Sequence, residues 1–160
     1  MTKFKTILIP LDGSKLAEAA LPAATSIAQH ADPVGELVLL RIVPDIWIDD
    51  VMLPEQLEEF QTRVTHSCQE YLDTIAERLR HDGLTITTLV ASGEPAEQIL
   101  DGAARSGANV IAMATHGRSG WERATMGSVA DKVLQHASIP VLLVRPPETV
   151  NKGKRTGSRP

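Results

Sequence analysis

Apolar residues recur along the chain with two different periods, and the switches between them mark out the elements. Residues 4–11 (FKTILIPL) form a short β-rich run that ends at Asp12-Gly13-Ser14. From there Leu16, Ala20, Leu21, Ala24, Ile27 and Ala28 recur at helical spacing, with Ser14 suited to cap the helix. Residues 36–43 (ELVLLRIV) are almost continuously apolar, the pattern of a strand buried on both faces of a parallel sheet. A loop over residues 44–53 leads to Pro54, which is tolerated in a first helical turn. The stripe that follows is Leu57, Phe60, Val64, Cys68, Tyr71, Leu72, Ile75 and Leu79, and Asp82-Gly83 stops it. Residues 84–91 (LTITTLVA) alternate as a strand does. Gly93-Glu94-Pro95 then turns into a helix carrying Ile99, Leu100 and Ala104 that ends near Gly107. Residues 109–115 (NVIAMAT) and 138–144 (SIPVLLV) read as two more strands. Between them a helix starts at about Ser128 and carries Val129, Val133 and Leu134.

The order βαβαβαβαβ predicts an α/β fold, an open five-stranded parallel sheet of Rossmann-like type with helices on both faces. In such sheets a ligand sits beyond the carboxyl ends of the strands, where the strand order reverses. With strand order 3-2-1-4-5, the first and fourth strands flank that reversal. The turn at Asp12 then faces the polar loop over residues 115–128 (THGRSGWERATMGS).

That loop holds Gly117, Gly120 and Gly127, and Gly127-Ser128 opens a helix. A helix start presents unpaired N–H groups and a partial positive charge, and glycine lets the backbone approach an anion closely. Ser128 is placed to cap the helix and to donate its hydroxyl to the same anion, while Arg118 and Arg123 add charge. The physical reading is an anion cradle of nucleotide-phosphate size. No Gly-Lys-Ser/Thr follows, so it is not a Walker A loop.

Composition narrows the setting. The chain has 160 residues, 42% of them apolar and 3% aromatic, so one core of Leu, Ile, Val and Ala is expected. The organisation expected is one domain over residues 1–147 and a polar basic tail over 148–160. Apolar runs are too short to span a bilayer, and the N-terminal run is broken by Pro10, unlike a signal peptide. With the single Cys68, this predicts a cytoplasmic protein with no membrane partner. Net charge is −4, although the tail contributes Lys152, Lys154, Arg155 and Arg159 and no acid. The acidic body argues against a nucleic-acid surface.

The chain resembles a universal stress protein of the ATP-binding branch. The likeness runs from Phe4 to about Arg145 and rests on ILIPLDGS, LVLLRIV, SGEPAEQIL and above all MATHGRSGWERATMGSVADKVLQHASIPVLLV. It implies the adenine nucleotide alpha hydrolase-like variant of the fold. It also implies a stress-response regulator that binds ATP or another adenine nucleotide, with Mg²⁺ or Mn²⁺ accompanying the phosphates. By resemblance, Gly117, Gly120, Gly127 and Ser128 hold the phosphates, with the backbone of Val129 nearby. Asp12 meets the ribose, Pro10 and Leu11 border the adenine, and the backbone of Ile42 reads its edge. Trp121 and Glu122 depart from the pattern by adding bulk and negative charge after the second glycine.

Other readings stand beside these. Asp12 is a ribose ligand or a turn aspartate that only shapes Asp-Gly-Ser, and its place at a strand's carboxyl end favours the first. His116 reads as a loop histidine rather than a base, Cys68 as a core thiol. The acids Asp49, Asp50, Glu55, Glu58 and Glu59 read as a solvated helix start rather than a metal site. Trp47 and Trp121 suit the cleft, a partner surface or ordinary partial burial. No catalytic residue is assigned: the chain shows no placed nucleophile, base or arginine-lysine clamp, so at most slow hydrolysis is expected. The alternatives for function are a dimeric interaction module of the same fold without nucleotide and, lower, an ATP pyrophosphatase-type enzyme, whose glycine-paired loop LDGSKLA lacks. RNA binding through GRSG would need helices on both sides and a basic face. The last strand is an apolar edge, which predicts a homodimer through residues 139–144, from Ile139 to Val144.

Overall fold

The structure, a computed structural model, describes residues 4–43, 54–80, 83–115 and 127–146. In chain order the elements are β1 (Thr6–Leu11), α1 (Lys15–Glu18), α2 (Leu21–Gln29), β2 (Glu36–Val43), α3 (Pro54–Arg80), β3 (Thr85–Ser92), α4 (Pro95–Ser106), β4 (Val110–Ala114), α5 (Ser128–His136) and β5 (Val141–Val144). The strands form one parallel sheet, as the alternation of the sequence predicts, and their order β3-β2-β1-β4-β5 is the one expected.

The side-chain alternation of each strand divides the core in two. Ile7, Ile9, Leu37 and Leu39 face α2 and α3, where they meet Ala24, Leu72 and Ile75. Leu8, Val38, Leu40 and Ile111 face the other way onto Ala96, Ile99 and Ala103 of α4 and Val133 of α5. Strands covered on both faces explain why their sequences are continuously apolar. Each fully buried Leu or Ile contributes about 1.5–3 kcal/mol of transfer free energy.

The helix expected to run unbroken from Ser14 is interrupted instead, α1 ending at Glu18 and α2 beginning at Leu21. Pro22 has no N–H for the Glu18 carbonyl four residues earlier, and its ring crowds that oxygen. The last strand starts at Val141 rather than at residue 138, because Pro140 cannot donate to a ladder. At the other end of α4, Gly107 takes the left-handed conformation (φ 67°) that closes the helix, as its position in the sequence suggests. No helix among the described residues is long and apolar enough to cross a membrane.

One feature of register shapes the molecule's carboxyl edge. β1 pairs with β2 all the way to Leu11↔Arg41, but its pairing with β4 stops at Leu8↔Ile111. Pro10 has no N–H to continue a ladder there. The first and fourth strands therefore part near their carboxyl ends, at the point where the strand order reverses.

Candidate functional site

A cleft of about 460 Å³ opens at that point. Its floor is Pro10 and Leu11 from β1, Ile42 from β2, and Met113 to Thr115 from the end of β4. Asp12, Leu16 and Arg41 of β2 form one wall; Pro95 and Ile99 of α4, with Gly127 to Ala130 at the start of α5, form the other. The volume lies within the range of small-ligand sites, and a mostly apolar lining with a few convergent polar groups is their usual composition.

Of the residues singled out in the sequence, Pro10, Leu11, Asp12, Ile42, Gly127, Ser128 and Val129 all line this single cleft. Gly117 and Gly120 lie outside the described residues, as do His116, Arg118, Trp121 and Arg123.

The Asp12 end is held by side chains. Its carboxylate accepts the Ser14 N–H at 2.8 Å, and the Ser14 hydroxyl in turn accepts from the Ala17 N–H at 3.1 Å, capping α1 as expected. Partial desolvation alone would push the Asp12 carboxyl up. Hydrogen bonds from Ser14 and the nearby Arg41 charge outweigh it and leave the group below the ordinary carboxylate range. Asp12 is thus ionised at neutral pH.

The α5 end is built from main chain. Gly127, with φ −52° and ψ 143°, occupies the cap position, and Ser128 is the first helical residue rather than the cap expected of it. The first bond within the helix runs from the Asp131 N–H to the Gly127 carbonyl at 3.0 Å. The N–H groups of Ser128, Val129 and Ala130 precede it and have no partner inside the helix. No side chain caps them among the described residues. By contrast, α1 is closed by Ser14 and α4 by the Glu94 carboxylate, which accepts the Glu97 N–H at 2.8 Å. α2 also starts without a side-chain cap, but it follows directly on α1 and has Pro22 in its first turn. A Cβ placed on Gly127 would meet no described residue within 4 Å. Lys132 of α5 bonds Glu94 at 3.0 Å and so ties this helix start to that of α4.

Arg41 is the lining residue that the sequence reading passed over. Its signal was available: it is the one charge inside the apolar stretch LVLLRIV, near a strand's carboxyl end. Leu16, Pro95, Ile99 and Met113 gave no such signal, because apolar lining and apolar core look alike in sequence. Glu55, Glu58 and Glu59 sit together with Thr62 and Arg63 on the first turns of α3, away from the cleft. Among the described residues no group of three or more potential metal ligands comes together.

A model of the universal stress protein family matches residues 3–145 of the chain. The universal stress protein YxiE of Bacillus subtilis is 31% identical over 149 residues, covering 89% of this chain and 99% of that one. Among solved structures, the protein MJ0577 of Methanocaldococcus jannaschii is similar at a TM-score of 0.78 and 26% identity, covering 92% of this chain and all of its own. Two solved relatives at lower identity share the fold. One is a universal stress protein in complex with cAMP (17% identity, TM-score 0.56, covering 89% and 98% of the two chains). The other is the Archaeoglobus fulgidus protein in complex with dAMP (20% identity, TM-score 0.58, likewise 89% and 98%).

Proposed function

The chain belongs to the universal stress protein family, and from that premise we propose that its cleft binds an adenine nucleotide, ATP in a cytosolic stress-response regulator. The observation that carries this reading is the start of α5, which no side chain caps among the described residues and which lines the same cleft as an ionised Asp12. Main-chain donors backed by a helix dipole suit phosphate oxygens, and a carboxylate suits sugar hydroxyls. The mostly apolar floor formed by Pro10, Leu11, Ile42 and Met113 suits a purine between them. Family members complexed with cAMP and dAMP support an adenine nucleotide as the ligand class. In this reading Gly117 and Gly120 complete the phosphate cradle begun by Gly127 and Ser128.

A Mg²⁺ or Mn²⁺ ion fits the same reading as a companion of the phosphates. Magnesium keeps several waters and is commonly bound through substrate phosphates, and the carboxylate of the described lining, Asp12, stays with the sugar. The ion would neutralise phosphate charge. The polar side chains of the described lining, Asp12, Arg41, Thr115 and Ser128, offer binding rather than bond cleavage. The nucleotide then acts as a bound signal or stabiliser. Isothermal titration with ATP and Mg²⁺ tests this, and no heat of binding at millimolar ATP would discard it.

The same reading takes residues 1–147 as the nucleotide-binding domain, 148–160 as a basic tail, and the assembly as a homodimer through β5. All four residues of β5 are only half-buried, and the strand pairs β4 on one side and is the edge of the sheet on the other. An apolar edge invites pairing with its twin across a two-fold axis. Sedimentation showing a monomer at micromolar concentration would remove the dimer and leave the nucleotide site standing.

A further inference from the structure

Arg41 has no task in the reading above, and its position is an expensive one for a charge. It stands on β2 in register with Leu11, between the apolar Leu40 and Ile42, and among the described residues its guanidinium is only partly satisfied. Nη1 lies 3.5 Å from the Leu11 carbonyl oxygen, a long contact. Nε is buried and has no hydrogen-bond partner among the described residues.

The group is nonetheless fixed. Its Cζ lies 5.5 Å from the centroid of the Tyr71 ring, a cation–π distance. The Tyr71 hydroxyl donates to Glu18 Oε1 at 3.2 Å, and the other Glu18 oxygen is held by Arg78 at 3.2 Å and Lys15 at 3.4 Å. On its other side Arg41 lies against the turn that carries Asp12. Gly13 there has φ +85°, and a Cβ on it would come within 3.0 Å of Nη1. A braced cation thus stands beside a braced carboxylate, both along the wall of one cleft.

We propose that Arg41 is a specificity residue for the sugar, forming with Asp12 a donor–acceptor pair that reads the vicinal hydroxyls of a ribose. This rests on the nucleotide reading of the cleft. An ionised carboxylate only accepts hydrogen bonds and a guanidinium only donates them, whereas each hydroxyl does both. A vicinal diol can donate to Asp12 and accept from Arg41 at once, so removing one hydroxyl leaves a charged partner unmatched in a partly desolvated site. Lysine is no substitute, since a rotatable point charge cannot rest on the Tyr71 ring and present a planar fork.

Titration calorimetry of the full chain with ATP, 2′-deoxy-ATP and 3′-deoxy-ATP tests the pair, in the wild type and in Arg41→Met. The wild type is expected to prefer ATP over at least one deoxy analogue by roughly tenfold or more. In Arg41→Met that ratio falls towards one, because ATP binding weakens while binding of the analogue is nearly unchanged. If Arg41→Met does not fold, as judged by circular dichroism, Arg41→Lys carries the same criterion. Equal wild-type affinity for all three ligands would overturn the proposal. So would a variant that loses the same factor for each ligand, which is the mark of a purely structural arginine. Failure of the wild type to bind any of them would instead strike the nucleotide reading itself.

Discussion

The two walls of the cleft are made of different materials. At the β1–β2 wall, Asp12 and Arg41 are held by a network that runs through Ser14, Tyr71 and Glu18 to Arg78 on α3. At the α5 wall, Gly127 to Ala130 offer main-chain N–H groups, and no described side chain closes them. A side-chain network couples a site to the stability of the fold, because its members also join α1, α3 and the sheet. A bare helix start does not, since its donors exist as soon as the helix forms. Changes at the α5 wall should therefore alter binding without altering stability, and changes behind the β1–β2 wall should alter stability at least as much as binding.

Gly127→Val gives the largest expected effect. The branched side chain occupies space beside the first amides of α5, and the backbone at φ −52° accepts it without strain. ATP affinity should fall at least about 100-fold, or roughly 2.7 kcal/mol, with a melting temperature like that of the wild type. Unchanged affinity would remove the phosphate role of this wall. Glu18→Ala should do the reverse. It strips the half-buried Tyr71 hydroxyl of its acceptor and frees two exposed cations, with an expected loss of about 1–2 kcal/mol in urea unfolding. A variant as stable as the wild type would show that the network braces nothing. Ser14→Ala removes the cap of α1 and should lower stability by about 1 kcal/mol while the Ser14 N–H stays available to Asp12. A concurrent large loss of ATP affinity would contradict the separation of the two walls.

The smallest effect is in pH. Burial raises the Glu18 carboxyl, but hydrogen bonds from Arg78, Lys15 and Tyr71 outweigh it and hold the group below its ordinary value of 4.5. The folded state therefore binds this proton less readily than the unfolded chain does. Its contribution is fully present above pH 4.5 and is lost as pH falls through the lowered folded value. The difference in melting temperature between the wild type and Glu18→Gln should be constant from pH 7 to about 5 and shrink below that; a difference that grows on acidification would show the sign to be wrong. At the alkaline end, burial and the charge and hydrogen bond of Glu18 raise Tyr71 to about 12, so the phenol stays neutral across the physiological range.

The two walls also differ in how much of them the sequence discloses. The glycine-punctuated loop and Gly127-Ser128 are local patterns, and main-chain chemistry follows from them directly. The parallel sheet was legible because its buried strands have an unmistakable apolar run, and Asp12 because it follows a strand's carboxyl end; Pro10, Leu11 and Ile42 were marked only by the resemblance to the universal stress protein family. The network behind Arg41 was not legible, since it joins residues as far apart as Glu18 and Arg78, and nothing local marks Tyr71 as anything but part of a helical stripe. The break between α1 and α2 was written in Pro22, but the apolar spacing continues across it and masks it. The cap of α5 shifted by one residue because glycine and serine both suit that position.

Backbone amide spectra recorded while ATP and Mg²⁺ are titrated into the labelled protein test the site most directly. Saturable shifts centred on Ser128, Val129 and Ala130, together with Asp12 and its neighbours, are the predicted result. Saturable binding whose shifts leave those amides untouched would place the ligand elsewhere and contradict the role given to the start of α5.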